Sequence, residues 1–378
     1  MDNGVKAAMV ANQSFLVASR KGLFEMELNA AGAPVIAAHH FVGDSVNQVL
    51  CDSRNGFWYV AQNLGHFGVK LKYSKNRGQT WDDLTAPAFG PQPKTGVWAD
   101  DETHWNVELI WTLVEGDPSN PNELWAGCMP AGLFRSLDGG KSWQLCESLW
   151  LDERRKAWMG GGNDYPGIHS VCVDPRSANH ITIAISCGGV WKSLDSGLTW
   201  NLIGQGQPAD FLPPDVSADP NQQDPHRIAV CKAAPDVMWM QNHCGVLRSV
   251  DAGETFTILG QLSKYRFGFA VAADSTNPNR AWYVPATADT YRFSVDAALC
   301  VMRTDDGGLT FTRFDQGLPQ SDNFELVYRH CLEVSADGQA LIMGSTTGHV
   351  WISHNAGETW VQASASLPPI YAVVWANS

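Results

Sequence analysis

Residues 193–200 read Ser-Leu-Asp-Ser-Gly-Leu-Thr-Trp, and this pattern recurs with substitutions along the chain. In each copy a Ser or Thr comes first, an Asp or Asn third, a Gly fifth, a Thr or Ser seventh and an aromatic residue eighth. The other copies lie at 74–81, 136–143, 249–256, 304–311 and 353–360. Successive copies start 62, 57, 56, 55 and 49 residues apart. A repeat of this period indicates one supersecondary unit per copy.

Each conserved place in this eight-residue pattern, which we call the box, has a physical role in a tight turn. The Asp or Asn side chain can accept hydrogen bonds from backbone amides a few residues further on. The Gly can adopt a positive φ that strains other residues. The aromatic side chain that follows is a large apolar group for the next strand to bury. The box therefore predicts a turn between two antiparallel strands.

Short β-branched and aromatic runs surround every box, as in a small antiparallel sheet. One predicted sheet contains strands at His169–Asp174, His180–Ser186, Gly189–Ser193 and Trp200–Ile203. Equivalent sheets are predicted within 45–84, 106–148, 226–261, 266–316 and 328–364. Met9–Leu28 offers two or three strands without an inner one, and Pro369–Trp375 offers a single strand. We therefore predict an all-β fold, one seven-bladed β-propeller domain over residues 1–378, closed by N- and C-terminal strands that share one blade.

The composition excludes several classes of protein. The 378 residues are 44% apolar, enough to bury a core, so the chain is not disordered. A net charge of −13 without a basic run argues against a nucleic-acid partner, and no apolar stretch is long enough for a membrane helix. The first twenty residues lack the pattern of a secretory signal. Nine Cys, several of them in apolar runs, indicate reduced thiols, so we expect a cytoplasmic protein.

The repeat also aligns the inner strands of different blades. Counting back from the boxes, His169, His226 and His330 lie 24, 23 and 23 residues before the first residue of their box. Thr112 lies 24 residues before its box, and Asn47 holds the same place relative to the end of its inner strand, so both are assigned to this level in two other blades. Blades converge on a common axis, and the box turns lie on the bottom face, so these residues are expected near the top of the central channel.

Around this level we predict a site built from the residues that the top loops and inner strands supply. The candidate catalytic residues are His169, His226, His243, His330, Arg329 and Asp210. The candidate substrate-binding residues are Arg20, His66, Arg227, Asn242, Arg292 and Trp158. Imidazole nitrogens bind divalent metals at neutral pH, so His169, His226 and His330 are also candidate metal ligands. The alternative is that each His only fills space or bonds a backbone carbonyl, and that the charged residues are solvated rim groups.

The boxes resemble the Asp-box, or BNR repeat, of sialidase-like β-propellers, in which the box lies between the third and fourth strands of a blade. The segments 241–253 (QNHCGVLRSVDAG) and 209–215 (ADFLPPD) are similar to those of small bacterial single-propeller members. The resemblance implies the fold and says little about the activity, because this family places its boxes on the rim away from the active face. It does not carry over the sialidase residues, because this chain lacks an Arg-Ile-Pro segment near its start and has seven predicted blades.

Three hypotheses for the function follow. The first is a hydrolase or lyase that acts on a small polar, sugar-like molecule in the top funnel. The second is a metal-dependent form of the same enzyme, with a divalent ion held by the His residues. The third is a scaffold that binds a ligand or protein without turnover, as photosystem-associated and sortilin-type propellers do. The sequence does not determine the oligomeric state.

Overall fold

All six boxes fold as turns with the same hydrogen bonds. The structure, a computed structural model, describes residues 14–29 and 33–376, without the side chain of Gln261. In the box that starts at Ser193, Ser193 Oγ donates to Asp195 Oδ1 at 2.8 Å and accepts the Gly197 amide at 2.8 Å. Asp195 Oδ1 also accepts the Thr199 amide at 2.8 Å. The same three bonds recur in the other five copies.

The fourth and fifth residues of each box have a left-handed backbone conformation, and this accounts for the Gly in the fifth place. In the same copy Ser196 has φ +60° and Gly197 has φ +85°. A Cβ at Gly197 would also lie 3.1 Å from Cys146 Sγ and 3.3 Å from the Trp125 ring, both in the preceding blade. Glycine is therefore needed here for its backbone conformation and for close packing against the neighbouring blade.

Seven antiparallel sheets, each with four main strands, form the blades. Blade one contains β1 (Ser14–Ser19), β2 (Gly22–Leu28) and β3 (Pro34–His40). Blade two contains β4 (Val46–Cys51), β5 (Trp58–Asn63), β6 (Val69–Ser74) and β7 (Asp82–Leu84). Blade three contains β8 (Leu109–Glu115), β9 (Leu124–Met129), β10 (Leu133–Ser136) and β11 (Gln144–Leu145). Blade four contains β12 (Ile168–Asp174), β13 (Ser177–Ile185), β14 (Gly189–Ser193) and β15 (Asn201–Ile203).

The remaining blades follow the same order from the inner to the outer strand. Blade five contains β16 (Pro225–Val230), β17 (Met238–Asn242), β18 (Gly245–Ser249) and β19 (Thr257–Ile258). Blade six contains β20 (Gly268–Ala273), β21 (Ala281–Ala288), the extra β22 (Tyr291–Ser294), β23 (Val301–Thr304) and β24 (Thr312–Phe314). Blade seven contains β25 (Leu332–Val334), β26 (Leu341–Gly344), β27 (Val350–Ser353) and β28 (Val361–Ser364), and the last strand is β29 (Ile370–Trp375).

Helices occur only as short connections among the described residues. The α-helix α1 covers Glu147–Trp150, and five 3-10 helices lie in loops. Their bounds are Gly65–Phe67, Glu153–Ala157, Pro220–Gln222, Gly260–Tyr265 and Val295–Ala297. No helix within 14–29 or 33–376 has the length and apolar character needed to span a bilayer.

The strand β29 closes the ring by pairing with β1, which confirms the predicted seven-bladed propeller and its shared terminal blade. The two strands are antiparallel, with Phe15 opposite Trp375 and Val17 opposite Val373. The Phe15 and Trp375 rings meet edge to face, with centroids 5.8 Å apart. The sequence analysis missed β3, the outer strand of this blade, and Met9 to Gln13 of its predicted N-terminal segment lie outside the described residues.

The core lies between neighbouring blades. Each blade except blade one carries a fully buried Trp on its second or third strand. These residues are Trp58, Trp125, Trp191, Trp239, Trp282 and Trp351. These large apolar side chains fill the wedge between adjacent sheets. The burial of each one stabilises the fold by about 1.5–3 kcal/mol.

A β-bulge interrupts the inner strand of six blades at the same level. One residue of each strand has no partner on the next strand, as the pairing of β12 shows, where Ile168 faces Ile185 and Ser170 faces Ala184. The residues at these bulges are Asn47, Trp111, His169, His226, Phe269 and Tyr371. In blade seven His330 bridges to Ala372 just before β25. Bulges redirect side chains, and here they define one ring of residues around the channel.

Blade three corrects one sequence prediction at this level. Counting back from the box placed Thr112 at the level of the His residues, but the bulge skips Trp111 and Thr112 pairs with Gly127. The Thr112 side chain is therefore buried in the sheet. A residue count along a strand does not register the extra residue that a bulge inserts.

Candidate functional site

A cavity of about 390 Å³ opens where the inner strands begin. Its wall includes ring residues and loop residues from several blades: Ser45, Asn47, Asn63, Leu109, Trp111, Met129, Gly161, Gly162, Asn163, Phe269, Arg292, Tyr328, Arg329, His330 and Tyr371. The box turns lie at the opposite ends of the strands. Two top loops reach this wall, one through Gly161–Asn163 and one through Arg292.

Arg329 is a buried cation whose close side-chain contacts are aromatic rings, while the charge of Asp224 acts on it from beyond ion-pair distance. The residue is 8% exposed, and its guanidinium carbon lies 4.8 Å from the Trp111 ring centroid and 5.1 Å from that of Phe269. Within the described part of the chain no hydrogen bond or ion pair to Arg329 is formed, and its Nε is buried without a partner. Burial lowers the pKa of Arg329 to about 10, so the side chain is still charged at neutral pH. A buried charge without a partner is costly.

His330 links blade seven to blade four through a hydrogen bond. Its Nε2 lies 2.9 Å from the carbonyl oxygen of His169. A carbonyl only accepts, so Nε2 carries the proton and Nδ1 of the neutral ring carries a lone pair. Burial lowers the pKa of His330 well below its usual range, so the ring is neutral at physiological pH. His330 therefore presents the cavity wall with a neutral imidazole of defined tautomer.

His169 is buried behind this contact. Its Nδ1 lies 3.0 Å from Ser170 Oγ, and its Nε2 is buried with no hydrogen-bond partner among the described residues. Burial lowers the pKa of His169 well below its usual range. The ring packs edge to face on Trp111, with centroids 5.6 Å apart.

A second His cluster lies in blade five around Asp224. Asp224 Oδ2 is 3.2 Å from His226 Nε2 and 3.3 Å from His243 Nδ1. The Asp224 and His226 side chains are each 3% exposed, and that of His243 is 22% exposed. The His226 ring also stacks on Phe269, with centroids 4.5 Å apart. Burial lowers the pKa of His226, although Asp224 opposes this effect.

The three predicted metal ligands do not form one group in the structure. Among the described residues the only set of three or more potential ligand side chains with mutually close atoms is Asp224, His226 and His243, whose ligand atoms lie within 4.8 Å of one another. His330 Nε2 instead bonds a carbonyl of the facing blade. Asp224 was not predicted, although its place two residues before His226, on the approach to the same inner strand, is a signal that the sequence contains.

The other predicted site residues fall into three groups. Arg292 lines the cavity, where its Nη2 pairs with Asp289 at 2.7 Å. Arg20, His66 and Asp210 are exposed on the top loops and are not part of the wall. Arg227, Asn242 and Trp158 lie within the packed structure.

The contacts of these three packed residues are structural. Arg227 Nη1 points to the His169 carbonyl oxygen at 3.5 Å, and burial lowers its pKa. Asn242 Oδ1 accepts the Cys244 amide at 2.8 Å and so shapes the turn that carries His243. The Trp158 indole donates to Asn221 Oδ1 at 2.9 Å, and only 7% of the residue is exposed. None of the three lines the cavity.

Sequence reasoning missed most of the aromatic wall. Trp111, Phe269, Tyr328 and Tyr371 line the cavity, but none of them was a candidate. One signal was available, because Tyr328 directly precedes the candidate Arg329; the bulges that place the other three are not visible in a residue count. No Asp or Glu belongs to the described wall, so the cavity combines aromatic faces, amides, a neutral imidazole and two guanidinium groups.

Part of the chain is similar in sequence to xyloglucanases. No protein-family model matches. An oligoxyloglucan-reducing end-specific xyloglucanase of Emericella nidulans is 29% identical over 170 residues, which make up 44% of this chain and 18% of the relative. A probable enzyme of the same name from Neosartorya fischeri is 31% identical over 110 residues, 29% of this chain and 12% of the relative. The chain thus spans less than a fifth of the length of these curated relatives.

Solved structures share the propeller fold. An ancestral GH74 enzyme superposes with a TM-score of 0.58 at 15% identity, covering 87% of this chain and 38% of the other. YCF48 from Cyanidioschyzon merolae gives a TM-score of 0.55 at 14% identity and covers 91% of both chains. YCF48 bound to D1 peptide gives 0.52 at 13% identity, covering 85% of this chain and 81% of the other. At these identities the likeness concerns the fold alone.

Proposed function

We propose that the chain is a carbohydrate-active hydrolase or lyase that takes a small acidic, sugar-like molecule into the top cavity. The observation that carries this proposal is Arg329, a buried guanidinium in the cavity wall that has no carboxylate of the described residues within ion-pair distance. A substrate carboxylate would supply the missing charge through a charge-assisted hydrogen bond. Arg292 at the same wall adds a second positive group.

The remaining wall suits a sugar-sized ligand. A volume of about 390 Å³ lies in the range of about 300–1,000 Å³ that small-molecule sites occupy. The rings of Trp111 and Tyr371 offer flat apolar faces, and Asn63, whose Oδ1 accepts the Gly65 amide, keeps its Nδ2 as a donor for hydroxyl groups. The partial similarity to xyloglucanases supports carbohydrate as the substrate class.

The cavity chemistry favours elimination over the usual route of glycoside hydrolysis. Hydrolysis by most glycosidases uses two carboxyl side chains, and the described wall contains none. In an elimination, Arg329 would bind the substrate carboxylate and Nδ1 of His330 would take the proton from the carbon next to it. The C–O bond at the following carbon would break with its electron pair, and the leaving oxygen would receive a proton from the Tyr371 hydroxyl or from water. Burial raises the pKa of Tyr371, which keeps this hydroxyl protonated.

The cellular setting is part of the same proposal. All nine cysteines are free thiols, which supports the expectation of a reducing, cytoplasmic environment. Binding without turnover is the alternative function. It is supported by the similarity in size and fold to YCF48, one structure of which is bound to D1 peptide.

Calorimetric titration with uronic-acid oligosaccharides and with neutral xyloglucan oligosaccharides tests the proposal. The acidic sugars should bind, and Arg329→Gln should weaken binding about 10–100-fold, because a hydrogen bond to a charged group contributes about 1.5–3 kcal/mol. Arg154→Gln is the matched control, since Arg154 pairs with Asp152 outside the wall. Neutral sugars that bind wild type and Arg329→Gln equally well, with no binding of acidic ones, would overturn the proposed ligand class.

Turnover is followed by the ultraviolet absorbance of the unsaturated product and by the release of reducing ends. His330→Gln should keep binding and lose about 10²–10⁴ in rate, as expected for loss of a general base. If the wild type binds acidic sugars but forms neither product, the chain is a binding scaffold.

A further inference from the structure

In the cluster of Asp224, His226 and His243, the neutral His226 ring cannot donate a hydrogen bond to Asp224. His226 Nδ1 lies 2.7 Å from the Gly268 carbonyl oxygen, which only accepts, so Nδ1 carries the ring proton. In the neutral ring Nε2 then carries a lone pair. This lone pair faces the carboxylate oxygen Asp224 Oδ2 at 3.2 Å. Two acceptors at this distance repel each other unless the ring takes up a second proton or a metal cation lies between them.

No Lys or Arg side chain among the described residues lies within ion-pair distance of this carboxylate, and the charge of Arg329 acts on it only from further away. Asp224 forms no ion pair with a Lys or Arg side chain within 14–29 and 33–376, and its neighbours at short range are His226 and His243. Its other oxygen, Oδ1, accepts the Cys187 amide at 3.1 Å. A carboxylate that is 3% exposed requires a counter-charge.

We propose that Asp224, His226 and His243 bind one divalent transition-metal ion of the Zn²⁺ or Mn²⁺ class. Two imidazole nitrogens and one carboxylate oxygen are a ligand set that such ions prefer. For bonds of about 2.0–2.1 Å a tetrahedral ion places its ligands about 3.3 Å apart. The observed separations of 3.2 and 3.3 Å around Asp224 Oδ2 match this spacing.

The surroundings of the cluster have two further properties of a metal site. The bond from His226 Nδ1 to the Gly268 carbonyl orients the ring and fixes the tautomer that leaves Nε2 free to coordinate. The His243 side chain is 22% exposed in the turn between β17 and β18, which gives an ion a path from solvent.

The ion would lie next to the cavity. Gly161 belongs to the cavity wall, and a Cβ built on it would lie 3.7 Å from Asp224 Oδ2. Cys187 and Ser186 lie beside the same Gly161 position, so the cluster packs against the back of this wall segment. A divalent ion here would add positive charge behind the part of the wall that binds an acidic ligand.

Metal content is the test, with Co²⁺ as a spectroscopic probe. Protein purified without an affinity tag is analysed for bound metal, dialysed against chelator and titrated with Zn²⁺, Mn²⁺ and Co²⁺. We expect close to one equivalent of metal, visible absorption bands of protein-bound Co²⁺, and a rise in thermal stability with added ion. Asp224→Asn and His243→Ala should each weaken binding at least about tenfold, since each removes a ligand or its charge.

His349→Ala is a matched control for His243→Ala. His349 lies in the turn between β26 and β27, the same place in blade seven, and its Nδ1 contacts Glu325 Oε1 at 2.6 Å. Its side chain is 30% exposed, and the variant should bind metal like the wild type. Wild type that takes up less than about a tenth of an equivalent and shows no Co²⁺ bands would overturn the proposal. So would unchanged affinity in both ligand variants. The metal readouts are independent of sugar binding, so failure of the proposed function leaves them intact.

Discussion

Replacing Asp195 by alanine removes three hydrogen bonds from the box turn of blade four. Asp195 Oδ1 accepts from Ser193 Oγ and from the Thr199 amide, both at 2.8 Å, and Oδ2 accepts from Thr199 Oγ1 at 2.6 Å. Each such bond contributes about 0.5–1.5 kcal/mol net. Because the turn is partly exposed, water replaces some of the lost partners. We therefore expect Asp195→Ala to lower the free energy of unfolding by about 1–3 kcal/mol.

Asparagine at the same position is a control that the chain itself provides. Two natural boxes have Asn in the third place, and there Nδ2 donates to the Thr hydroxyl, from Asn76 to Thr80 at 2.9 Å and from Asn355 to Thr359 at 3.0 Å. Oδ1 of each Asn accepts the same amide that the Asp copies use. Asp195→Asn should therefore change the free energy of unfolding by less than about 0.5 kcal/mol.

The pH dependence of the free energy of unfolding is a second test of the hydrogen bonds of Asp195. Hydrogen bonds from the Thr199 side chain and amide hold the pKa of Asp195 below its usual range. A carboxyl group with a depressed pKa in the fold stabilises the protein above its unfolded pKa of about 3.9 and loses this contribution as the pH falls through the folded value. The difference between wild type and Asp195→Ala should thus shrink below about pH 4.

Equilibrium unfolding in guanidinium chloride at neutral pH measures the free energy of unfolding of wild type, Asp195→Ala and Asp195→Asn. If this free energy falls with denaturant concentration at the same slope in all three, the proteins differ only in stability. Ligand binding per folded molecule should stay the same, because the box turn lies on the face opposite the cavity. Equal stability of Asp195→Ala and wild type would refute the role assigned to the turn. A loss in Asp195→Asn as large as in Asp195→Ala would refute the hydrogen-bond reasoning.

Two other predictions concern the closure of the ring and the ionisation of Glu333 in β25. Removing residues 369–378 should produce soluble aggregates on gel filtration, because the β1 edge loses its partner β29; a stable monomer would contradict the closure. Burial raises the pKa of Glu333 to about 8, although Arg227 opposes this shift, so the fold holds a neutral carboxyl group whose unfolding releases a proton. The free energy of unfolding of wild type should then decline relative to that of Glu333→Gln as the pH rises from about 4.5 to 8, as paired unfolding titrations would show. A difference between the two proteins that stays constant with pH would show that Glu333 ionises normally.

The blade architecture could be read from the sequence because its determinants are local. The Ser, Asp, Gly and Thr of each box act within eight residues, so the turn and the strands that flank it leave a complete signal in the chain. The count of seven followed from the copies and from unpaired strands at the two ends. The one strand missed, β3, is an outer strand without a box beside it.

The ring level was partly predictable, and its exact members were not. His169, His226 and His330 share a register that a residue count can find. The bulge in β8 places Trp111 in the wall instead of Thr112, and such an inserted residue depends on the packing of neighbouring blades. The top-loop Trp158 illustrates the same limit, since Asn221, 63 residues further on, binds its indole and holds it in the packed structure.

The chemistry of the site was decided by tertiary structure alone. Arg329 lies between Trp111 and Phe269, which come from two other blades, and no carboxylate of the described residues lies within ion-pair distance of it. The tautomer of His330 is set by a carbonyl 161 residues away, and that of His226 by Gly268 in the next blade. The sequence by itself determined the repeated turns, because a turn is built from neighbouring residues. Only the closed ring decided which side chains face one another, because its central contacts join residues that are distant in the chain.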